Sequence, residues 1–201
     1  MYVGRIVSAG LTETGKLCVM YRVSSRSFPN RVITENNEAL AVVPAHGFES
    51  DIYENPYISY NCLRSNEKYA VVGNGTHTDP IFEKLESGMS MRDSLTSVLF
   101  GMDYEHDSLN TPRISAVVNK NSRYAALGVV RKDGIEICEF KLELGQYRYV
   151  TTYECCTLSS GFVGEGLIIS NSDEAAKFVI GGGVFGTFER PISAAAAIEN
   201  E

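Results

Sequence analysis

Metal-binding and disulfide patterns are missing from this sequence. Its five cysteines (Cys18, Cys62, Cys138, Cys155 and Cys156) form an odd set without a CxxC pair. They read as reduced, buried thiols rather than a disulfide frame or a zinc site. The three histidines, His46, His77 and His106, fit neither HExxH nor a His/Cys ligand spacing, so no metal and no cofactor is expected. No stretch approaches the ~20 apolar residues of a membrane helix. The start, MYVGRIVSAG, lacks a basic leader followed by a long apolar run. A cytoplasmic chain without a membrane partner is the expectation. Positive charge is scarce too: 18 Lys and Arg stand against 25 Asp and Glu, a net −7. A general nucleic-acid binder would show a basic excess and is excluded. No repeat, low-complexity block or linker appears, and a single domain over 1–201 is expected. The triple glycine at 181–183 lacks the Lys-Ser/Thr of a phosphate loop and reads as a helix stop.

What is present is enough apolar residue for a substantial core. At 201 residues and 44% hydrophobic, a chain should bury roughly 70% of its unfolded surface without covalent staples. Strand patterns fall at 2–9, 17–24, 39–43, 58–64 and 69–72. The segment 17–23 is apolar on both faces, with Leu17, Val19, Tyr21 and Val23 on one and Cys18 and Met20 on the other. Such a strand belongs inside a layered structure. Thr78 is a candidate cap for a helix over 79–86. Leu95, Val98, Leu99 and Met102 recur at helical spacing over 91–102. Strand patterns return at 113–118, 124–130, 135–142 and 147–153. Ser172 is a candidate cap for a helix over 173–180, and the alanine run after Pro191 suggests a last short helix. Segregated runs of strands and helices predict an α+β layered sandwich rather than alternating βαβ units.

Four polar clusters sit at predicted strand ends and loops. The densest is YRVSSRSFPNR, 21–31, with Arg22, Arg26 and Arg31 among Ser24, Ser25, Ser27 and Asn30, and no acid from Leu17 to Thr34. On an extended strand Arg22, Ser24 and Arg26 would share a face, and Phe28-Pro29 would put Asn30 and Arg31 on a turn. Guanidinium forks and hydroxyls suit a phosphate monoester; the alternative is a surface salt-bridge strip. NPYISYNCLR, 55–64, offers Tyr57, Tyr60 and Asn61 to a heterocycle, although strand tyrosines usually pack. NGTHTD, 74–79, places His77 at a strand-to-helix junction, either contacting substrate or capping a helix. MDYEHD, 102–107, followed by NTPR, 110–113, sets Tyr104 and Glu105 near Arg113. A solvated helix end is the default, but a partly buried carboxylate beside a phenol can act as an acid/base pair.

Together YRVSSRSFPNR, NPYISYNC, NGTHTD, MDYEHD and NTPRI, in that order and spacing, resemble the archaeal-type IMP cyclohydrolase family. The resemblance runs from MYVGR to the helix near 173–180 and weakens after Leu142. It implies the four-layer αββα sandwich of the N-terminal nucleophile hydrolases. The Met1-Tyr2-Val3-Gly4 start lacks the Thr, Ser or Cys nucleophile of that fold's better-known members. It also implies ring closure of 5-formamidoimidazole-4-carboxamide ribonucleotide to IMP and water without a cofactor. The expected partners are that purine ribonucleotide and further copies of the chain. Within these motifs, Arg26 and Arg31 with Ser25 and Ser27 are assigned to the phosphate, Asn30 to substrate binding, and Arg22 to the formyl oxygen. Tyr60 and Asn61 are assigned to the base and carboxamide, Tyr104 and Glu105 to proton transfer, and His77 and Arg113 to completing the pocket. The competing readings are a purine-nucleotide binder without activity and an amide hydrolase with a processed amino terminus.

Overall fold

The computed structural model of the chain describes residues 1–158 and 162–199. Strands β1 (Ile6–Leu11), β2 (Leu17–Ser24), β3 (Arg31–Asn36) and β4 (Ala39–Pro44) come first. A short helix α1 (Asp51–Glu54) and a 3₁₀ turn (Pro56–Ile58) lead to β5 (Tyr60–Ser65) and β6 (Tyr69–Gly73). Helices α2 (Thr78–Glu86) and α3 (Met91–Met102) follow, then β7 (Arg113–Asn119), β8 (Tyr124–Arg131), β9 (Gly134–Lys141) and β10 (Tyr147–Thr151). The described chain ends with β11 (Val163–Gly164), α4 (Ser172–Gly181), a 3₁₀ turn (Gly183–Thr187) and β12 (Pro191–Ile198).

The fold is mixed α+β with two antiparallel sheets. One has five strands in the order β11-β10-β1-β2-β12, and the other runs β3 to β9 as a seven-stranded meander. Period-two alternation explains how they stack. Val19, Tyr21 and Val23 of β2 point to the other sheet and pack with Val72, Ala116 and Leu127. Cys18 and Met20 point the opposite way, into a cluster with Val179 of α4 and Phe185. The two-sided strand read from sequence is thus buried along its whole length. On the far face of the larger sheet, Val71, Val117 and Ala126 meet Leu95 and Leu99 of α3. Gly128 makes that approach possible, because a Cβ there would stand 2.7 Å from Leu99 Cδ1.

Local chemistry sets the helix starts, one residue away from two of the expected caps. Ser90 caps α3 by accepting from the Asp93 N–H. Asn171, rather than Ser172, caps α4 through the Glu174 N–H. Thr78 is the first residue of α2, with its hydroxyl donating to the Gly75 carbonyl. Two expectations are corrected. The alanine run is strand β12, paired with β2 from Pro191 to Ile198. Alanine's helix preference is worth only a few tenths of a kcal/mol per residue. The open edge of β2 offers a ladder of hydrogen bonds and an apolar seat for Ala195 and Ile198. Arg31 opens strand β3, paired with β4, instead of lying on a turn.

Arg22 is also placed differently from its expected role at the formyl oxygen. Its side chain is fully buried on the α4 side of β2. Nη1 donates to the carbonyls of Ile180 and Phe185, both at 3.0 Å. Nη2 donates to Phe188 at 2.8 Å and Glu189 at 3.0 Å, and Nε to Ser24 Oγ at 3.0 Å. All five N–H groups are therefore committed. β2 ends at Ser24, so Arg26 leaves the plane of the strand and does not share the Arg22 face. Burial lowers the Arg22 pKa to about 10, which leaves it charged at neutral pH. Among the described residues, no helix is long and apolar enough to cross a membrane.

Arg22→Ala should leave four main-chain carbonyls, two of them buried, without their donor and cost about 3–5 kcal/mol. Chemical denaturation checks this. A midpoint equal to that of the unsubstituted protein would show that the clamp contributes nothing.

Candidate active site

A cleft of about 620 Å³ opens where the segment before β1, the β2–β3 loop, the 3₁₀ turn before β5, the α3–β7 loop and the turn after β10 converge. One wall carries Ser25, Arg26, Ser27, Phe28 and Arg31. The Ser25 hydroxyl accepts from the Phe28 N–H at 3.0 Å and folds this loop back on itself. Arg31 Nε donates to the Phe28 carbonyl at 3.1 Å, which holds the guanidinium at the wall. Arg26 lies over the Tyr2 ring, 4.1 Å from its centroid. This wall therefore combines two guanidinium groups with two hydroxyls.

The same cleft also holds Glu105, whose residue is 1% exposed. Helix α3 terminates at Asp103, which has a φ of 57°. The chain then returns so that the Glu105 N–H donates to the Thr111 carbonyl at 2.8 Å. Arg5 Nη2 lies 3.4 Å from Glu105 Oε2, and Arg113 Nη1 lies 3.7 Å from Oε1. The second distance is an ion pair but too long for a hydrogen bond, so Oε1 and Nη1 have no hydrogen-bond partner. Arg113 is itself held by its Nε, which donates to the Asp103 carbonyl at 2.9 Å. Burial raises the Glu105 pKa from 4.5 to about 7, and Arg5 and Arg113 only partly offset this. Gly75 permits the arrangement: a Cβ there would lie 2.7 Å from Arg113 Nη1 and 3.3 Å from Glu105 Oε1.

Of the residues singled out in sequence, Ser25, Arg26, Ser27, Arg31, Tyr57 and Glu105 line this cleft, with Arg113 directly behind Glu105. Others lie elsewhere. His77 is buried behind Gly75, with Nε2 3.0 Å from the Ile114 carbonyl, to which it donates. Burial and the neighbouring Arg113 charge depress its pKa to about 3, so the ring stays neutral. Tyr104 turns away from the cleft and packs on His106, with centroids 4.4 Å apart. The main chain of Asn30 pairs with Ala45, and its side chain is not on the cleft wall. Asn61 donates to Asp79 at 3.0 and 3.1 Å in a separate, shallower hollow. Tyr60 lies between the sheets, its hydroxyl 2.5 Å from that of Tyr21. Burial raises the Tyr60 pKa, and the charges of Arg31 and Arg5 oppose that rise.

The sequence reading missed Arg5, Thr111 and Tyr153. Arg5 stands alone before an apolar strand and has no polar neighbour in sequence to draw notice. Thr111 and Tyr153 are joined by a 2.9 Å contact between their hydroxyls across 42 positions. No group of three or more possible metal ligands exists among the described residues.

Comparison with known proteins adds a second line of evidence. A family model described as "IMP cyclohydrolase-like protein" matches residues 2–201. A protein of Methanosphaera stadtmanae named IMP cyclohydrolase is 43% identical, with the alignment covering 100% of this chain and 96% of that protein. One of Methanococcus aeolicus with the same name is 42% identical over 98% of this chain and 95% of its own length. Another, of Methanocaldococcus jannaschii, is 38% identical over 98% and 94%.

The raised Glu105 pKa is also a statement about stability. The protonated form favours the folded state below about 4.5, and this contribution fades as pH rises through about 7. Glu105→Gln, which mimics the neutral acid, should therefore gain stability relative to the unsubstituted protein between pH 5 and pH 9, by up to about 3 kcal/mol. Melting curves at both pH values measure it. A gap that stays constant or reverses would mean that Glu105 ionises at its ordinary pKa.

Proposed function

The chain belongs to the IMP cyclohydrolase family, and from that premise we propose that it closes the purine ring of 5-formamidoimidazole-4-carboxamide ribonucleotide in the cleft between the Ser25–Arg31 loop and Glu105. The observation that carries this reading is one cavity lined by two guanidinium groups, two hydroxyls and the buried Glu105 carboxyl, which burial lifts to a pKa of about 7. Arg26, Arg31, Ser25 and Ser27 hold the 5′-phosphate, since planar forks and hydroxyls match its three terminal oxygens.

The reaction joins two groups of one molecule, so the protein supplies orientation, charge stabilisation and proton transfer. The carboxamide nitrogen attacks the formyl carbon and a C–N bond forms. The nitrogen gives up a proton, and the formyl oxygen takes one and becomes a hydroxyl. That hydroxyl then leaves as water when its C–O bond breaks, with a second proton coming from the ring nitrogen. Glu105 is suited to both directions of transfer, because a carboxyl with a pKa of about 7 exchanges protons readily near neutral pH. Arg5 stands 3.4 Å from Glu105 and has a buried Nε without a hydrogen-bond partner. It stabilises negative charge on the formyl oxygen as the bond forms, which is typically worth roughly 3 to 4 kcal/mol. Arg113 keeps the Glu105 carboxyl in place, and Tyr60 with Tyr21 supports Arg5 and Arg31 from between the sheets. This reassigns Arg22 to the fold and leaves Tyr104, Asn30, Asn61 and His77 outside direct contact with the reacting groups. No cofactor enters the scheme.

The finer structural reading goes with the function. The facing sheets, with α4 packed outside one and α2 and α3 outside the other, support the four-layer αββα sandwich of the N-terminal nucleophile hydrolases. One domain, a cytoplasmic location and a homo-oligomer complete the proposal.

Purified protein should form IMP from the formylated nucleotide, followed by absorbance, with kcat/KM changing around pH 7. Glu105→Gln should reduce kcat by roughly 100- to 10,000-fold and flatten that profile; near-normal kcat would remove Glu105 from the chemistry. Arg31→Ala should chiefly raise KM, since the phosphate is bound alike in ground and transition states. A pure kcat loss would contradict its assignment.

A further inference from the structure

Tyr153 belongs to a chain of hydroxyls whose direction is fixed by a carboxylate. Asp107 Oδ1 accepts from the backbone N–H groups of Leu109 at 3.1 Å and Thr111 at 2.9 Å. Asp107 Oδ2 accepts the Thr111 hydroxyl at 2.8 Å. A threonine hydroxyl has one proton, and a carboxylate oxygen holds it more strongly than a neutral phenol does. Thr111 Oγ1 therefore has only lone pairs to offer Tyr153, which lies 2.9 Å away. The Tyr153 proton must point to Thr111, and the phenolic oxygen faces the cleft as an acceptor only.

The position of that oxygen narrows what it reads. Tyr153 stacks on Tyr2, with centroids 6.0 Å apart, and Tyr2 carries Arg26 over its ring. On its other side Tyr153 bonds to Thr111, whose carbonyl accepts from the Glu105 N–H. Tyr153 thus links the Arg26 side of the site to Glu105 through Tyr2 and Thr111, and it lines the cleft. Its main chain is anchored as well: its N–H donates to the Val3 carbonyl at 3.1 Å, and its carbonyl accepts from Cys155 at 2.7 Å. In a ribonucleotide, what lies between the 5′-phosphate and the base is the sugar, whose free hydroxyls are donors.

We infer that Tyr153 is a positioning residue whose phenolic oxygen accepts a hydrogen bond from a ribose hydroxyl and so selects ribonucleotides over deoxyribonucleotides. The inference rests on the ring-closure reading for the identity of the substrate. Once substrate covers it, an acceptor left without its donor penalises an analogue lacking that hydroxyl, by roughly tenfold or more.

The test compares kcat/KM for the formylated ribonucleotide with its 2′-deoxy and 3′-deoxy counterparts. The unsubstituted protein should prefer the ribonucleotide to at least one deoxy form by about tenfold. Tyr153→Phe should abolish that preference, lowering kcat/KM for the ribonucleotide while the deoxy substrate stays as good as before or improves. Thr111→Val, which keeps the phenol but frees its proton, should weaken the preference in part. A preference that survives Tyr153→Phe, or an equal loss for both substrates, would overturn the inference, as would an unsubstituted protein that does not discriminate. Should no substrate be turned over, the ring-closure reading fails by itself. Calorimetric binding of IMP and its deoxy counterparts to the same proteins then decides the role of Tyr153 by the same ratio.

Discussion

The removal of one carboxyl group from water governs this molecule's candidate site. Glu105 is enclosed between Arg5 and Arg113, yet both contacts are long, at 3.4 and 3.7 Å. A tighter bidentate pair would fix the carboxylate as an anion and make it a poor proton carrier. Full burial without cations would leave it permanently protonated. The observed balance puts its pKa at about 7. Three elements maintain that balance: the left-handed turn at Asp103, the Thr111 carbonyl that receives the Glu105 N–H, and a glycine at position 75 that leaves room for Arg113.

The rest of the fold brings distant pieces of chain to that point. The two sheets press their apolar faces together, and the segments leaving their strand ends build the cleft. Arg5 precedes β1, Arg31 opens β3, and Arg113 opens β7. Each is thereby fixed by a strand ladder instead of by a loop alone. The phosphate wall gains further order from the Ser25 and Arg31 contacts to Phe28. A cleft so arranged brings guanidinium groups, hydroxyls and one buried carboxyl into a single cavity.

Much of this was legible in the sequence where local pattern and tertiary structure agree. The span of α3 follows from apolar residues three and four apart, and the span of β2 from its two apolar faces. The arginine segment and Glu105 share a cleft because both flank strong regular elements. Reading failed where a partner far away in sequence decides. The alanine run has the composition of a helix, but the free edge of β2 makes it a strand. Arg22 looks like a neighbour of Arg26, but β2 ends at Ser24, so Arg26 lies in the loop that lines the cleft while Arg22 stays buried against the carbonyls near α4. Arg5 gave no local signal, since its partner lies one hundred residues on.

Arg22 grips main-chain oxygens, at Ile180, Phe185, Phe188 and Glu189, and not the side chains of those residues. The hold therefore tolerates drift in what it holds: the identities of those four amino acids can change while their carbonyls stay put. The guanidinium has no such freedom, because lysine presents three donors on a flexible stem where five in a rigid plane are used. The constraint on this stretch is thus lopsided: the guanidinium fork must stay, while the side chains along the turn of backbone it grips are free to vary.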